Sequence, residues 1–321
     1  MNIFRREPQN KTKKIIIMKT NNVFINPLTD FGFKRVFASE ENKDILIAFL
    51  NDCISDHVGV IREIRFLPSE HIGLAEAEKK LIFDIYCTNE RGQRFIIEMQ
   101  RARQDYFADR VITYISRIIS NEASRGARRY DIPPVYSFNI LDYNAPEFMG
   151  REKYFWAVHL KDNQNRIFSK KIILFFMELT KFAAQFPDEK SPAYKWGYAL
   201  KHMSGMSLKD MPEEAGEFRK LFEVCQMSRL TTMEKNDYEK SIFEYEDVQD
   251  ALECMRRHSL QEGYEQGMQQ GVQQGILQGR EEALLQTARN FLNLGVSLAD
   301  VAKATGLSEE EILAHVGNAG E

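Results

Sequence analysis

The feature that most limits the fold of this chain is a change of periodicity between residues 81 and 179. Residues 81–88 (LIFDIYCT) and 95–100 (FIIEMQ) are β-branched and aromatic, and the turn between them holds Gly92, which is a β-hairpin signal. Residues 105–124 then carry apolar side chains at Phe107, Val111, Ile115, Ile118 and Ile119, the spacing of an amphipathic helix. Three more strand-like runs follow at 135–143, 154–160 and 171–179. Strands, helix and strands mixed over so short a stretch point to an α/β core. Upstream, Asn26-Pro27-Leu28-Thr29-Asp30 is turn chemistry leading into FGFKRVFAS. Residues 42–54 have helical spacing, and residues 60–67 alternate like a strand stopped by Pro68. From Pro192 onward the pattern is helical, with a charged amphipathic arm over residues 221–255.

The 321 residues allow two domains, or one domain with an appendage. With 43% hydrophobic and 28% charged residues, a disordered chain, a collagen and a disulfide miniprotein are all excluded. The 43 basic and 47 acidic side chains leave a net charge of −4, which excludes a strongly basic DNA-coating protein. Any nucleic-acid contact must then come from local clustering of charge. Cys53, Cys87, Cys225 and Cys254 lie far apart and read as buried, reduced thiols of a cytoplasmic protein. The apolar run at residues 15–18 is too short for a signal-peptide core or a membrane span, so residues 1–23 read as a loose basic tail and no membrane partner is expected.

Two charges interrupt the hairpin: Asp84 in the first strand and Glu98 in the second. A carboxylate at a buried strand position is costly unless it is paired or metal-bound. A loop of three or five residues would set Asp84 directly across from Glu98, with Cβ atoms about 4.5–5.5 Å apart. At that distance the two repel, and a divalent cation with a preference for hard oxygen ligands, Mg²⁺ or Mn²⁺, relieves the repulsion. Gln100, two residues beyond Glu98, projects from the same face and is able to orient a water. The alternative is a solvated hairpin in which both carboxylates pair with Arg or Lys.

The stretch LIFDIYCTNERGQRFIIEMQ resembles the metal-binding hairpin of the PD-(D/E)XK nuclease superfamily. NPLTDFGFKRVF resembles the opening of one branch of it, the recombination-promoting nucleases, also called PD-(D/E)XK family transposases. The resemblance implies an α/β restriction-endonuclease-like core, a mixed sheet flanked by helices, with an all-α C-terminal appendage. It implies metal-dependent hydrolysis of DNA, with Asp84 and Glu98 holding Mg²⁺ and Asp84, Glu98 and Gln100 forming the catalytic set. Gln100 stands where most of the superfamily has Lys, and a neutral amide cannot offset phosphorane charge as an ammonium does. Lys79, Lys80 and Arg101 are candidates to supply that charge. Glu40, Glu41 and Asp44 are candidates for the acidic ligand that the superfamily often adds from its first helix.

Nine arginines stand against four carboxylates between residues 91 and 130, a local excess of +5. Arg103, Arg110 and Arg117 recur every seven residues and line up on a helical wheel, flanked by Tyr114. With Arg101 they are the expected contacts to a DNA backbone, the alternative being a solvated helix face with ion pairs. Further on, Gly263, Gly267, Gly271, Gly275 and Gly279 recur every four residues, one step ahead of Tyr264, Met268, Val272 and Ile276. Each helical glycine costs about 0.8–1 kcal/mol relative to Ala. Close approach of a partner helix would offset this, so the segment reads as a self-association helix, and a homo-oligomer is expected; the alternative is a mobile, partly helical linker. Residues 297–316 mimic a helix-turn-helix, with Ser297 and a Ser308/Glu311 capping box at the helix starts and Gly306 in the turn. Glu309, Glu310 and Glu311 would repel phosphate there, which favours a packing or protein-interaction role.

The expected organisation is therefore a tail over residues 1–23, a nuclease domain over 24–225, a helical arm over 226–260, and a glycine-repeat helix with a small helical tail over 261–321. The function expected is that of a DNA endonuclease. The alternative is a catalytically weakened nuclease fold that binds DNA or acts in regulation or assembly through its C-terminal arm.

Overall fold

In the computed structural model, residues 22–68, 70, 71, 81–124, 131–182 and 191–316 are described. The expected tail falls almost wholly outside them, as do Lys79, Lys80, Arg125, Arg128 and Arg129. The chain divides into two units, residues 1–249 and 250–321.

The first unit begins with α1 (Asp30–Phe37) and α2 (Lys43–Val58). The predicted turn is built by its own side chains. Asn26 Oδ1 accepts from the Leu28 N–H at 2.9 Å, Thr29 Oγ1 donates to the Asn26 carbonyl at 2.9 Å, and the same oxygen caps α1 by accepting from Gly32 N–H at 3.0 Å. Next come β1 (Ile64–Phe66), a short pair β2 (Glu70–His71) and β3 (Leu81–Ile82), then β4 (Ile85–Asn89) and β5 (Arg94–Gln100). The helix α3 (Phe107–Ser124) crosses over to β6 (Val135–Leu141), followed by β7 (Phe155–Lys161) and β8 (Ile167–Glu178). The helices α4 (Pro192–His202), α5 (Glu217–Val224) and α6 (Thr232–Asn293) follow.

Six strands form one mixed sheet in the order β1-β4-β5-β6-β8-β7. β4 and β5 are an antiparallel hairpin, whereas β5–β6 and β6–β8 are parallel pairs. α3 links two parallel neighbours, as the helix between predicted strands required. Its apolar stripe (Phe107, Val111, Ile115, Ile118) is buried on one face of the sheet. The other face packs against α1, α2, α4 and α5 through Phe37, Phe49, Phe138, Phe175 and Trp196. The α/β class and the helices flanking the sheet are as expected. Several boundaries moved. The strand predicted over 81–88 is broken at Phe83 and Asp84, the one over 60–67 shrinks to Ile64–Phe66, and the last one starts earlier, at Ile167.

The core also runs past residue 225. Phe24 bridges Gln226, Ile25 N–H donates to the Cys225 carbonyl at 2.8 Å, and Met227 N–H donates to the Val23 carbonyl at 2.9 Å. Leu230 and Tyr238 are buried in the main core, and the Tyr238 hydroxyl accepts from Asn26 N–H at 2.9 Å. The first turns of α6 thus complete the first unit instead of standing apart from it as an arm. Cys87 and Cys225 are buried as predicted, Cys53 is half-buried, and Cys254 is exposed.

The second unit holds the rest of α6 with α7 (Leu298–Thr305) and α8 (Glu309–Val316). The predicted caps form. Ser297 Oγ accepts from Asp300 N–H, Gly306 takes the left-handed conformation at φ 73°, and Ser308 exchanges bonds with Glu311 at 2.8 and 3.2 Å. Ala288, Val301 and Ile312 form its small core. Among the described residues no helix is long and apolar enough to cross a membrane.

Gly32 is the residue on which the entry into α1 turns. A Cβ there would lie 2.3 Å from the Asn26 carbonyl oxygen and 2.9 Å from Pro27 Cα, both backbone atoms. Gly32→Ala is expected to cost about 1–3 kcal/mol, measured as a lower denaturant midpoint; an unchanged midpoint would contradict this close approach.

Candidate metal centre

The hairpin register sets the site. Ile85 pairs with Ile97 and Thr88 with Arg94, so the connection between the paired residues is five residues long. Carried one step further, the register brings Asp84 opposite Glu98. There the chain leaves the ladder, and side chains take over the pairing. Asp84 N–H donates to Glu98 Oε1 at 3.3 Å, and Met99 N–H donates to Asp84 Oδ2 at 2.8 Å. Gln100 Nε2 donates to Glu98 Oε2 at 3.1 Å. The three residues singled out in the sequence are therefore brought together. Gln100 spends an amide hydrogen on Glu98, where the sequence suggested a partner for water.

Glu98 is 4% exposed. Its burial, and then the neighbouring Asp84 charge, push its pKa up to about 8, against the pull of the Asp84 N–H, the Arg110 charge and the Gln100 amide. Burial also raises Asp84, and Asp30 adds to the rise, while Met99 N–H, Lys34 and Arg101 oppose it. A buried Glu98, its proton affinity raised by the half-buried Asp84 beside it, forms with Asp84 an electron-rich pair of hard oxygen donors. A divalent cation fits that donor set, and two protein carboxylates suffice for Mg²⁺, which takes its remaining ligands from water and phosphate. Among the described residues no group of three or more His, Cys, Asp or Glu side chains converges on one point.

The acidic neighbour from the first helix is Asp30, which sequence reasoning missed. Of the three candidates named from sequence, Asp44 pairs with Lys220 at 2.7 Å and Glu40 with Lys43 at 3.3 Å, and Glu41 lines a charged cleft that Asp30 and Lys34 also line. Asp30 acts on Asp84 through space, as does Lys34, one turn along α1 and 3.0 Å from Asp30. The signal was present in TDFGFKRVF, where an acid directly follows the capping Thr29. Such an acid reads first as a favourable charge at a helix N-terminus.

The predicted basic surface divides. Arg94 is tied to Glu122 at 3.1 Å and to Thr88 Oγ1 at 2.7 Å, and Arg91 reaches the Val58 carbonyl at 3.0 Å; both hold the hairpin together. Arg103 precedes the first residue of α3, so the stripe on that helix consists of Arg110 and Arg117 alone. Arg101 stacks 5.6 Å over the Tyr245 ring. Arg110 lies 5.4 Å from the Phe107 ring centroid and 5.9 Å from that of Tyr114. Tyr114 packs edge-on against Phe83 at 4.9 Å, and burial followed by the Glu98 charge raises its pKa. Arg101, Arg110 and Tyr114 thus border the carboxylate pair, and Arg103 is exposed nearby in sequence.

The Glu98 shift has a consequence for stability in metal-free buffer. Its pKa is near 8 when folded and near 4.5 when unfolded, so the folded protein binds the extra proton between these values. Stability from this group is full below about pH 4.5 and falls as pH rises to 8. With EDTA present, Glu98→Gln should flatten that fall and melt above wild type at pH 8.5. A variant curve parallel to wild type over pH 5–8.5 would contradict the buried, protonated carboxyl.

Comparison with known proteins agrees with this geometry. The family model for "PD-(D/E)XK nuclease family transposase" matches residues 27–254, from the turn before α1 through the hairpin into α6. A second, the C-terminal HTH domain of the Rpn/YhgA-like nuclease family, matches residues 281–315, the end of α6 with α7 and α8. No curated protein and no solved structure matches the chain. The first match covers well over half of the sequence and contains every residue of the carboxylate site: the chain belongs to the PD-(D/E)XK nuclease family transposases.

Proposed function

We propose that this protein is a divalent-metal-dependent endonuclease that hydrolyses DNA phosphodiester bonds at Asp84 and Glu98. The observation that carries this reading is Glu98, a carboxyl 4% exposed and pressed against Asp84 where the hairpin ends. Apolar packing gains nothing from such a pair, whereas a cation site requires it. A bound Mg²⁺ or Mn²⁺ would supply Lewis-acid activation of water and neutralise charge on the scissile phosphate. The chain's own part is to hold the two carboxylates apart from bulk water and in fixed register. Met99 N–H fixes Asp84, while Asp84 N–H and the Gln100 amide fix Glu98. Arg101 and Arg110 place positive charge beside them for the DNA backbone. The unpaired cysteines suit a reducing, cytoplasmic setting.

Plasmid nicking tests the site. Wild type should nick in Mg²⁺ or Mn²⁺ and not in EDTA, and Asp84→Asn should lower the rate about 100-fold or more. Mg²⁺ should raise the melting temperature of wild type and not that of Asp84→Asn. Equal nicking by both proteins would exclude the named site.

The second unit supports self-association as a further role. Tyr264, Met268, Val272 and Ile276 are exposed, and a Cβ built at any of the five repeat glycines meets nothing within 4 Å. The stripe has the open backbone and the apolar row that a partner helix needs. Light scattering of the full chain should give a multiple of 37.4 kDa, lost when Met268, Val272 and Ile276 are replaced by Gln; a monomeric wild type would end this reading.

A further inference from the structure

Beside the carboxylate pair, two shielded hydrogen-bond donors have no acceptor among the described residues. They are Nη2 of Arg110 and the hydroxyl of Tyr143. Both border the Phe107 ring, whose centroid lies 5.4 Å from Arg110 Cζ and 6.3 Å from the centroid of Tyr143. The Arg110 charge acts on Tyr143 and also on Glu98, so all three groups share one electrostatic neighbourhood. A buried donor without an acceptor is unfavourable and uncommon, and it calls for a partner beyond the described residues.

The other cations that act on the pair are already engaged. Lys34 is paired with Asp30 at 3.0 Å, and Arg101 stacks on Tyr245, whose hydroxyl donates to Asp142 at 3.3 Å. Arg110 is held differently. One Nη donates to Gln104 and the guanidinium lies across the Phe107 and Tyr114 rings, which fixes its plane and leaves the second Nη unused. Burial first, and then Glu147, push the Tyr143 hydroxyl up to about 12, so it remains a protonated donor at any working pH. Of the nearby carboxylates, Glu178 is already bonded to Lys181, Trp156 and Ala145 N–H.

We propose that Arg110 and Tyr143 form an anion subsite that receives a DNA phosphate next to Asp84 and Glu98, and that Arg110 there supplies the positive charge Gln100 lacks. The guanidinium and phenol would donate to non-bridging oxygens, a charge-assisted arrangement suited to phosphate. This rests on the nuclease reading of the same site.

The test uses the full chain with Tyr143→Phe and Arg110→Gln, reading Mg²⁺-dependent plasmid nicking, melting temperature, and the salt dependence of binding to a duplex oligonucleotide in EDTA. Tyr143→Phe deletes only an unpaired donor, so it should melt at or above the wild-type temperature, yet nick about 10-fold slower or worse. Arg110→Gln should nick about 100-fold slower and reduce the salt slope by about one. Unaltered nicking in both variants overturns the subsite and leaves the nuclease reading standing. A clear drop in the melting temperature of Tyr143→Phe overturns it too, because the hydroxyl is then structural. Wild type that nicks no plasmid overturns the nuclease reading and the subsite with it.

Discussion

Everything in the first unit is arranged around the cost of keeping Glu98 out of water. A buried carboxyl must be neutral, paired or bound to a cation. Here it accepts from one backbone amide and one side-chain amide while facing a second carboxyl. The break in the strand at Phe83 and Asp84 follows from this. Once the Asp84 N–H is committed to the Glu98 side chain and the Asp84 carboxylate to Met99 N–H, regular ladder bonds cannot continue. The cations on α1 and α3 and the residue after β5 then surround the pair at distances where their charge still acts on it.

The mixed sheet gives this pair its surroundings. β5 has an antiparallel neighbour on one side and a parallel one on the other, so the hairpin end lies beside the crossover helix that the parallel pairing demands. α3 therefore starts close to the carboxylates and brings Phe107, Arg110 and Tyr114 with it. A purely antiparallel meander would have placed another hairpin there, with no helix to carry a guanidinium to the site.

Much of this was legible in the sequence, and the part that was not shares a cause. Asp84, Glu98 and Gln100 stood out because charged groups interrupt strands that are otherwise apolar. The five-residue connection sets them in register by local geometry alone. The capped helices of the C-terminal unit were legible for the same reason, since Ser297, Gly306, Ser308 and Glu311 act within one turn of where they stand. Asp30 and Tyr143 were not. One looks like a helix-start acid and the other like the end of a strand, and each meets the site through residues more than 30 positions away. The arm was misplaced in the same way: its charged, amphipathic pattern hid that Leu230 and Tyr238 are buried against a segment some 200 residues earlier.

That long-range closure bears on when the first unit is completed. The backbone of residues 23–26 is bonded to Cys225, Met227 and Tyr238, all made late in the chain. The turn leading into α1 is held by its own side chains and α1 packs on α2 through Phe37 and Phe49, and the late residues add a second clamp from the far end of the chain. That second clamp closes only after more than two-thirds of the chain has left the ribosome. A shorter ribosome-bound fragment carries the two carboxylates with α1 held from one side alone, and the second clamp arises only on a nearly finished polypeptide.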